Sequence, residues 1–165
     1  MTAVLDRSSA ILGRDEVHLF YDRYFETLDD GRFEAWLDFF VDDCLYRVMA
    51  RENYEAGFGL CIMQGDSRAM LYDRVQVLTK TMVFSPRYCR RFYTGLRVVG
   101  ESDGRFEVRQ NVQVIQTMLN KPSQILACGV GHDRLVRDGS GALKFAERTL
   151  VVDTEMVADS FVYPA

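Results

Sequence analysis

The stretch Phe33–Val48, FEAWLDFFVDDCLYRV, is the part of this chain that most restricts its fold. Its first half carries apolar residues at Phe33, Trp36, Leu37, Phe40 and Val41, the i, i+3, i+4, i+7, i+8 stripe of a helix laying one face on a core. Asp42-Asp43 is expected to end that helix, because short acids compete for backbone hydrogen bonds and favour helix ends and turns. Cys44-Leu45-Tyr46-Arg47-Val48 then reads as a strand reaching Ala50, partly β-branched and aromatic. A helix that docks through the chain's only Trp therefore hands the backbone straight into a sheet.

Residues 1–12 show no hydrophobic period and are expected to form an irregular arm. A helix is predicted from about Gly13 to Leu28, with Val17, Phe20, Tyr21, Tyr24, Phe25 and Leu28 on one face. Asp15 and Glu16 in its first turn suit the positive end of the helix dipole. Asp29-Asp30-Gly31 is a turn so short that this helix and the next should be neighbours, and either acid can cap the second helix. Beyond Ala50, the even spacing of Tyr54, Phe58, Leu60 and Ile62 predicts a strand within Arg51–Gln64, bent at Gly57 and Gly59. Gly65-Asp66-Ser67 opens a third helix to about Lys80, with Asp66 as its N-cap, and Ser85-Pro86 breaks the chain.

From Arg87 onward the period becomes two. Long strands are predicted at Arg87–Glu101, Phe106–Met118, Ile125–Val136 and Leu143–Asp153. Ser102-Asp103-Gly104 is a strong hairpin signal, and Asn120-Lys121-Pro122 and Asp138-Gly139-Ser140-Gly141 make the other turns. The tail, residues 154–165, keeps Met156, Val157, Phe161, Val162 and Tyr163 and is too apolar to hang free. Helices followed by clustered long strands predict an α+β fold, a single domain over residues 1–165 with one strongly bent antiparallel sheet wrapped as a cone around the helices.

Several functions are disfavoured. The net charge of −4 speaks against nonspecific nucleic-acid binding, which needs basic patches facing phosphate. No apolar run is long enough to span a bilayer, and the N-terminal residues lack a basic region followed by an apolar block, so a cytoplasmic location is expected. Cys44, Cys61, Cys89 and Cys128 lie far apart and are expected to be buried small hydrophobes. With no C-x-x-C, no Cys-x-His and only His18 and His132 available, neither a zinc site nor a Rieske iron–sulfur centre can be assembled from the usual ligands.

Individual candidates each have a functional and a plain reading. His132 falls in strand alternation with Leu126, Cys128 and Val130; it is either a pocket acid/base or, as favoured here, a core or interface histidine. His18 borders the first helical stripe and reads as a partly exposed helix residue. Asp42 and Asp43 could be coupled carboxylates, but helix termination is the better account. Tyr21 and Tyr24 are candidate pocket hydroxyls whose helical spacing makes them core first. Arg87, Arg90 and Arg91 could hold an anionic substrate, pair with acids across a subunit interface, or stay solvated.

The residues also carry a resemblance. Tyr21-x-x-Tyr24, Phe33-Glu34-Ala35-Trp36-x-x-Phe39-Phe40 and Asp42-Asp43-Cys44-x-Tyr46 resemble the nuclear-transport-factor-two-like, or cystatin-like cone, superfamily. A narrower match, to the small (β) subunits of aromatic-ring-hydroxylating dioxygenases, rests on four later segments. They are Leu71-Tyr72-Asp73-Arg74-Val75, Arg87-Tyr88-Cys89-Arg90-Arg91-Phe92-Tyr93, Gly129-Val130-Gly131-His132-Asp133-Arg134-Leu135 and Glu147-Arg148-Thr149-Leu150-Val151-Val152-Asp153. The likeness runs from about residue 14 to 163. The chain departs from it at Arg90-Arg91-Phe92-Tyr93-Thr94-Gly95, where many members read Arg-x-x-His-x-x-x-Asn.

The resemblance implies that this chain holds no cofactor and no catalytic residue. It implies a larger α subunit carrying a Rieske 2Fe-2S cluster and a mononuclear non-haem iron, an α3β3 hexamer, and electrons from NAD(P)H through a reductase and sometimes a ferredoxin. The short length and the Asp-Arg-Val helix look like small subunits of oxygenases acting on benzoate-type acids. Arg87, Arg90, Arg91, Tyr93, Phe161 and Tyr163 are then expected at the subunit interface. The alternative is a stand-alone cone-fold dehydratase or isomerase using Tyr24, Tyr46 or His132, or a small-ligand-binding homodimer. Cone-fold isomerases carry a proton-shuttling Asp where this chain has Val48, preceded by Arg47, so an isomerase of that kind would lack its base.

Overall fold

The computed structural model describes residues 13–154 and 160–165; the expected arm at 1–12, and Met156 and Val157 of the tail, lie outside them. Helix α1 (Arg14–Asp29) forms where the 3.6-residue stripe predicts it, and all of Val17, Phe20, Tyr21, Tyr24, Phe25 and Leu28 are buried. Gly31, at φ +70°, reverses the chain, a conformation open to glycine because it lacks a Cβ. A short α2 (Phe33–Trp36) follows at once.

The second helix is shorter than its stripe suggests. A 3₁₀ turn over Leu37–Phe39 ends it, and Phe40 already opens strand β1 (Phe40–Ala50). Asp42 and Asp43 therefore stop no helix; they lie exposed within the strand. The reason is long-range: Phe40 pairs with Phe145, and the ladder resumes at Leu45–Glu147 after an irregularity. Sheet pairing takes Phe40, and the bulged residues leave the two acids in water.

The segment after β1 also differs from its expected strand. Arg51–Glu55 is a short helix, α3, and only Met63–Gly65 becomes a strand, β2. Tyr54, Phe58, Leu60 and Ile62 are exposed: their even spacing marks no buried face, and Gly57 at φ +71° interrupts the extended backbone. Helix α4 (Arg68–Gln76) is capped by Ser67 rather than Asp66. The Ser67 Oγ accepts the Met70 N–H at 3.2 Å, whereas the Asp66 carboxylate takes the Gln64 amide at 2.7 Å. A π-turn over Val77–Thr81 continues it.

Four long strands complete the fold: β3 (Arg87–Ser102), β4 (Arg105–Met118), β5 (Gln124–Arg137) and β6 (Leu143–Val152). Asp103 and Gly104 both take positive φ, 52° and 71°, the requirement of a type I′ hairpin turn. The sheet order is β2-β1-β6-β5-β4-β3. Its strands pair antiparallel except β1 with β6, which run parallel. The expectation of a wholly antiparallel sheet is corrected there, because β6 comes back to β1 across a crossover of the kind parallel pairs need.

The bent sheet encloses α1 and Trp36, which is fully buried, together with Val108, Val112, Leu135, Phe145 and Leu150. Cys44 and Cys89 join this core, but Cys61 is only partly buried and Cys128 is exposed, and all four are free. Cys128 sits on the outward side of its strand, so the expectation of four buried thiols holds for two. No described helix is long and apolar enough to cross a membrane.

Candidate functional site

Strand alternation decides which side chains enter the cone. On β5, Ala127, Gly129, Gly131, Asp133 and Leu135 are buried, while Cys128, Val130, His132 and Arg134 face out to varying degrees. His132 is therefore on the convex side, where its Nδ1 lies 3.2 Å from the Tyr54 hydroxyl. Burial and Arg109 lower its pKa. A register shift at Val114/Ile115 opposite Ala127 moves Leu126 to the inner side, which separates it from the alternation that His132 follows.

The residue that enters the cone is its neighbour, Asp133. Its Oδ2 accepts from the Tyr21 hydroxyl at 2.7 Å, the Gln110 amide at 3.1 Å and the Arg148 guanidinium at 2.7 Å. Both Asp133 and Arg148 are completely buried. Gly131 makes room for this cluster: a Cβ there would stand 3.0 Å from the Gln110 side chain. Arg148 also lies over the rings of Tyr24, Phe145 and Phe25, at 4.6, 5.3 and 5.4 Å, a favourable setting for a desolvated cation.

Beyond Arg148 the cluster meets the end of the sequence. The Ala165 main-chain oxygen accepts from the Tyr24 hydroxyl at 3.0 Å, the Tyr46 hydroxyl at 3.3 Å and Arg148 Nε at 3.4 Å. The Ala165 N–H donates to the Tyr46 oxygen at 2.8 Å. Arg91 secures the same segment. It donates to the Pro164 carbonyl oxygen and, at 2.6 Å, to Asp29, whose other oxygen takes the Arg91 backbone N–H at 3.1 Å.

These groups are ill suited to move protons at neutral pH. Burial raises the pKa of Tyr21, Tyr24 and Tyr46, so all three hold their protons. Burial also pushes the Asp133 carboxyl up, against the pull of Arg148 and the Tyr21 hydroxyl. On Arg148 burial opposes the charge, and the facing Asp133 carboxylate together with Tyr24, Tyr21 and Tyr46 outweighs it, so its pKa is raised.

The expected interface residues divide into two groups. Arg91 is buried and committed inside the chain, and Tyr163 packs on Phe33 and Phe84 at ring separations of 5.1 and 5.5 Å. Phe161 also packs against the core. Tyr93 stacks on Phe25 at 5.4 Å and donates to Asp22. Arg87 spans Gln116 and Ser160, at 3.3 and 3.5 Å, beside the Phe84 ring. Arg90 alone is well exposed, flanked on the same face of β3 by Tyr88 and Phe92, which are 76% and 53% exposed. His18 lies at the rim, 3.4 Å from the Tyr93 hydroxyl.

Asp133, Arg148 and Gln110 were not singled out by the sequence reading. The signal was present as charge on apolar faces: period two puts Asp133 with Ala127 and Leu135, and Arg148 with Leu150 and Val152. Opposite charges at buried positions of two consecutive strands mark a buried pair. Among the described residues, no three His, Cys, Asp or Glu side chains come together as a metal-binding set.

A family model described as the ring hydroxylating beta subunit matches residues 23–159. The chain is 30% identical over 149 residues to the small subunit of anthranilate 1,2-dioxygenase of Burkholderia cepacia, covering 90% of this chain and 92% of that one. It is 27% identical over 150 residues to beta subunit 1 of the terminal oxygenase component of terephthalate 1,2-dioxygenase of a Comamonas species, covering 90% and 96%. Among solved structures, the beta subunit of an aromatic-ring-hydroxylating dioxygenase of Novosphingobium aromaticivorans superposes with a TM-score of 0.83 at 31% identity, covering 92% of this chain and 96% of that one.

Proposed function

The chain belongs to the ring-hydroxylating beta subunit family, the small subunits of multicomponent aromatic dioxygenases, and we propose that within such an enzyme it performs no chemistry of its own. The observation that carries this reading is the interior of the cone. Its ionisable groups, among the described residues, are turned on one another and on Ala165, with Asp133 and Arg148 both fully buried and Tyr21, Tyr24 and Tyr46 shut off from solvent, so they are poorly placed to exchange a proton. The residues present also do not fit the iron groups of such oxygenases: only two histidines exist, one on α1 and one on the outer face of β5. The Rieske cluster and the mononuclear iron then belong to a larger α subunit, and no step of ring oxidation runs through this chain.

The role left is to support that partner, as one part of an α3β3 assembly in the cytoplasm that draws electrons from NAD(P)H through a reductase or ferredoxin. The whole chain, residues 1–165, acts as one domain in it. A benzoate-type aromatic acid is the substrate class, since the named relatives belong to anthranilate and terephthalate dioxygenases. The stand-alone dehydratase or isomerase gains nothing from this geometry: His132 is outside the cone, and Tyr24 and Tyr46 both point at Ala165.

The docking surface we favour is the outer face of β3, where Tyr88, Arg90 and Phe92 alternate in the open at the sheet's edge. Aromatic residues and arginine are the types enriched at interface centres. Replacing Tyr88→Asp and Phe92→Asp together places two charges on that face without touching the core. Co-expressed with the larger subunit, the double variant is expected to melt as the parent does and to elute without its partner. Normal co-elution would contradict the β3 interface, and failure of the parent chain itself to co-elute would contradict the subunit role.

A further inference from the structure

We propose that the cleft between the start of α1 and the second half of β3 binds a small aromatic carboxylate. The cleft has a volume of about 450 Å³ and is lined by Arg14, Val17 and His18 of α1 and by Leu96, Arg97 and Val98 of β3. Sites of this size take small molecules by combining apolar walls with a few charged groups. No Asp or Glu is among the lining residues, although the whole chain carries a net charge of −4.

The backbone of β3 shapes the cleft. Gly95 takes φ +63°, and the ladder to β4 shifts register twice, between Thr94 and Arg97 and between Val98 and Gly100. Such irregularities bend a strand and re-aim its side chains, and the three lining residues of β3 lie within this stretch. Leu96 packs against the core and Val17 is buried, so these two make an apolar floor. Val98 stays 40% exposed beside them.

The cations supply the selectivity. The acids of α1 are engaged elsewhere: Glu16 is held by Arg137 and Asp22 by the Tyr93 hydroxyl, and Asp15, adjacent in sequence to Arg14, does not share its helix face. Arg97 donates one N–H to the Gly95 carbonyl oxygen at 3.0 Å, which leaves the rest of its fork for a ligand. It also stands directly opposite Arg109 on β4, and like charges in that position repel; an anion bound at Arg97 offsets this. His18 turns Nδ1 toward the Tyr93 hydroxyl at 3.4 Å, so Nε2 is its nitrogen left for the cleft. A guanidinium pairs with a carboxylate through two parallel N–H···O bonds and stacks on aromatic faces. The pair of arginines over an aliphatic floor therefore favours a ring bearing a carboxylate. A neutral ring leaves the cations unanswered, and a short aliphatic acid leaves Val17 and Leu96 uncovered. This inference goes beyond the subunit role and stands apart from it, because the cleft is formed by this chain alone.

The test uses the full chain, alone or in the assembly with which it purifies, and benzoate as the probe. Hydrogen exchange, read by mass spectrometry on this chain's own peptides, should slow at residues 14–18 and 95–98 as benzoate is added at constant ionic strength. Because only these peptides are followed, the result does not depend on whether a partner is present. Half-maximal slowing should need about tenfold more benzamide or acetate than benzoate, the loss of one good polar or apolar contact. Arg14→Gln combined with Arg97→Gln alters two exposed positions. The double variant should keep the parent's thermal midpoint and raise the half-maximal benzoate concentration by about tenfold or more. Unchanged exchange in the parent chain at the solubility limit of benzoate overturns the site, and undiminished slowing in the double variant overturns the role of the arginines. If the double variant does not fold, Arg97→Gln alone decides in the same way. Benzamide acting at the same concentration as benzoate overturns the choice of an acid, and acetate doing so overturns the choice of an aromatic ring.

Discussion

Asp133 and Arg148 show how much a single residue carries in this molecule. Each is fully buried, and the carboxylate is the counter-ion directly bonded to the guanidinium, so Asp133→Asn would leave a cation in the core with its charge unanswered. Breaking a buried pair from one side costs about 3–5 kcal/mol. Tyr21→Phe removes one neutral donor from the same carboxylate and should cost about 1.5–3 kcal/mol, the range for a hydrogen bond to a charged group. Urea denaturation of the two variants should separate them in that order; equal losses would mean that Asp133 is held neutral rather than as an ion. His132 supplies a pH dependence. Burial and Arg109 lower its pKa in the folded chain, so the folded protein binds that proton less readily than the unfolded one. Its contribution is present above about pH 6.5, the usual value for free imidazole, and is lost as pH falls through the lower folded value. His132→Gln should therefore flatten the decline in urea midpoint between about pH 7 and about pH 5. An unchanged slope would show that His132 titrates normally.

At the scale of elements, Gly129 on β5 has the least room for a side chain of any glycine in the chain. A Cβ there would stand 2.0 Å from the Val151 carbonyl oxygen and 2.8 Å from the Val152 Cα, both backbone atoms of β6 that cannot swing aside. Gly129→Ala should destabilise by at least about 2 kcal/mol, in the range of core overpacking, with the thermal midpoint as the readout. A neutral result would mean that β5 and β6 separate easily. The legible elements were those whose pattern is long and agrees with their burial. The α1 stripe and the β3–β4–β5–β6 hairpins could be read from Phe20, Tyr24 and Leu28, and from Asp103-Gly104. Short elements misled where a distant partner decided the outcome: Phe40 left its helix to pair with Phe145, and Leu60 and Ile62 alternate on a surface loop. The polar core was half legible. Tyr21 and Tyr24 could be placed on the core face, whereas Asp133 was passed over for His132 because a bulge shifts the faces of β5.

For the whole molecule, the sheet order leaves β3 at one edge, with Tyr88, Arg90 and Phe92 outward, and turns the ion pair, Val162, Pro164 and Ala165 inward. A chain built this way has its unsatisfied apolar surface outside and its hydrogen-bonding capacity mostly spent inside, the arrangement expected of a permanent partner rather than an independent enzyme. Edge strands invite pairing or docking, and the two aromatic rings on this one give a partner something to cover. The central claim is that the iron and the oxidation chemistry belong to that partner. Its most direct test is native mass spectrometry with iron analysis on the full chain, tagged at its N-terminus and purified gently from its own host. The account predicts a mixed assembly in which a larger second chain carries the iron and this chain, once separated, carries none. An iron-free monomer or homodimer with no companion at low salt, or iron that stays with this chain, would contradict it.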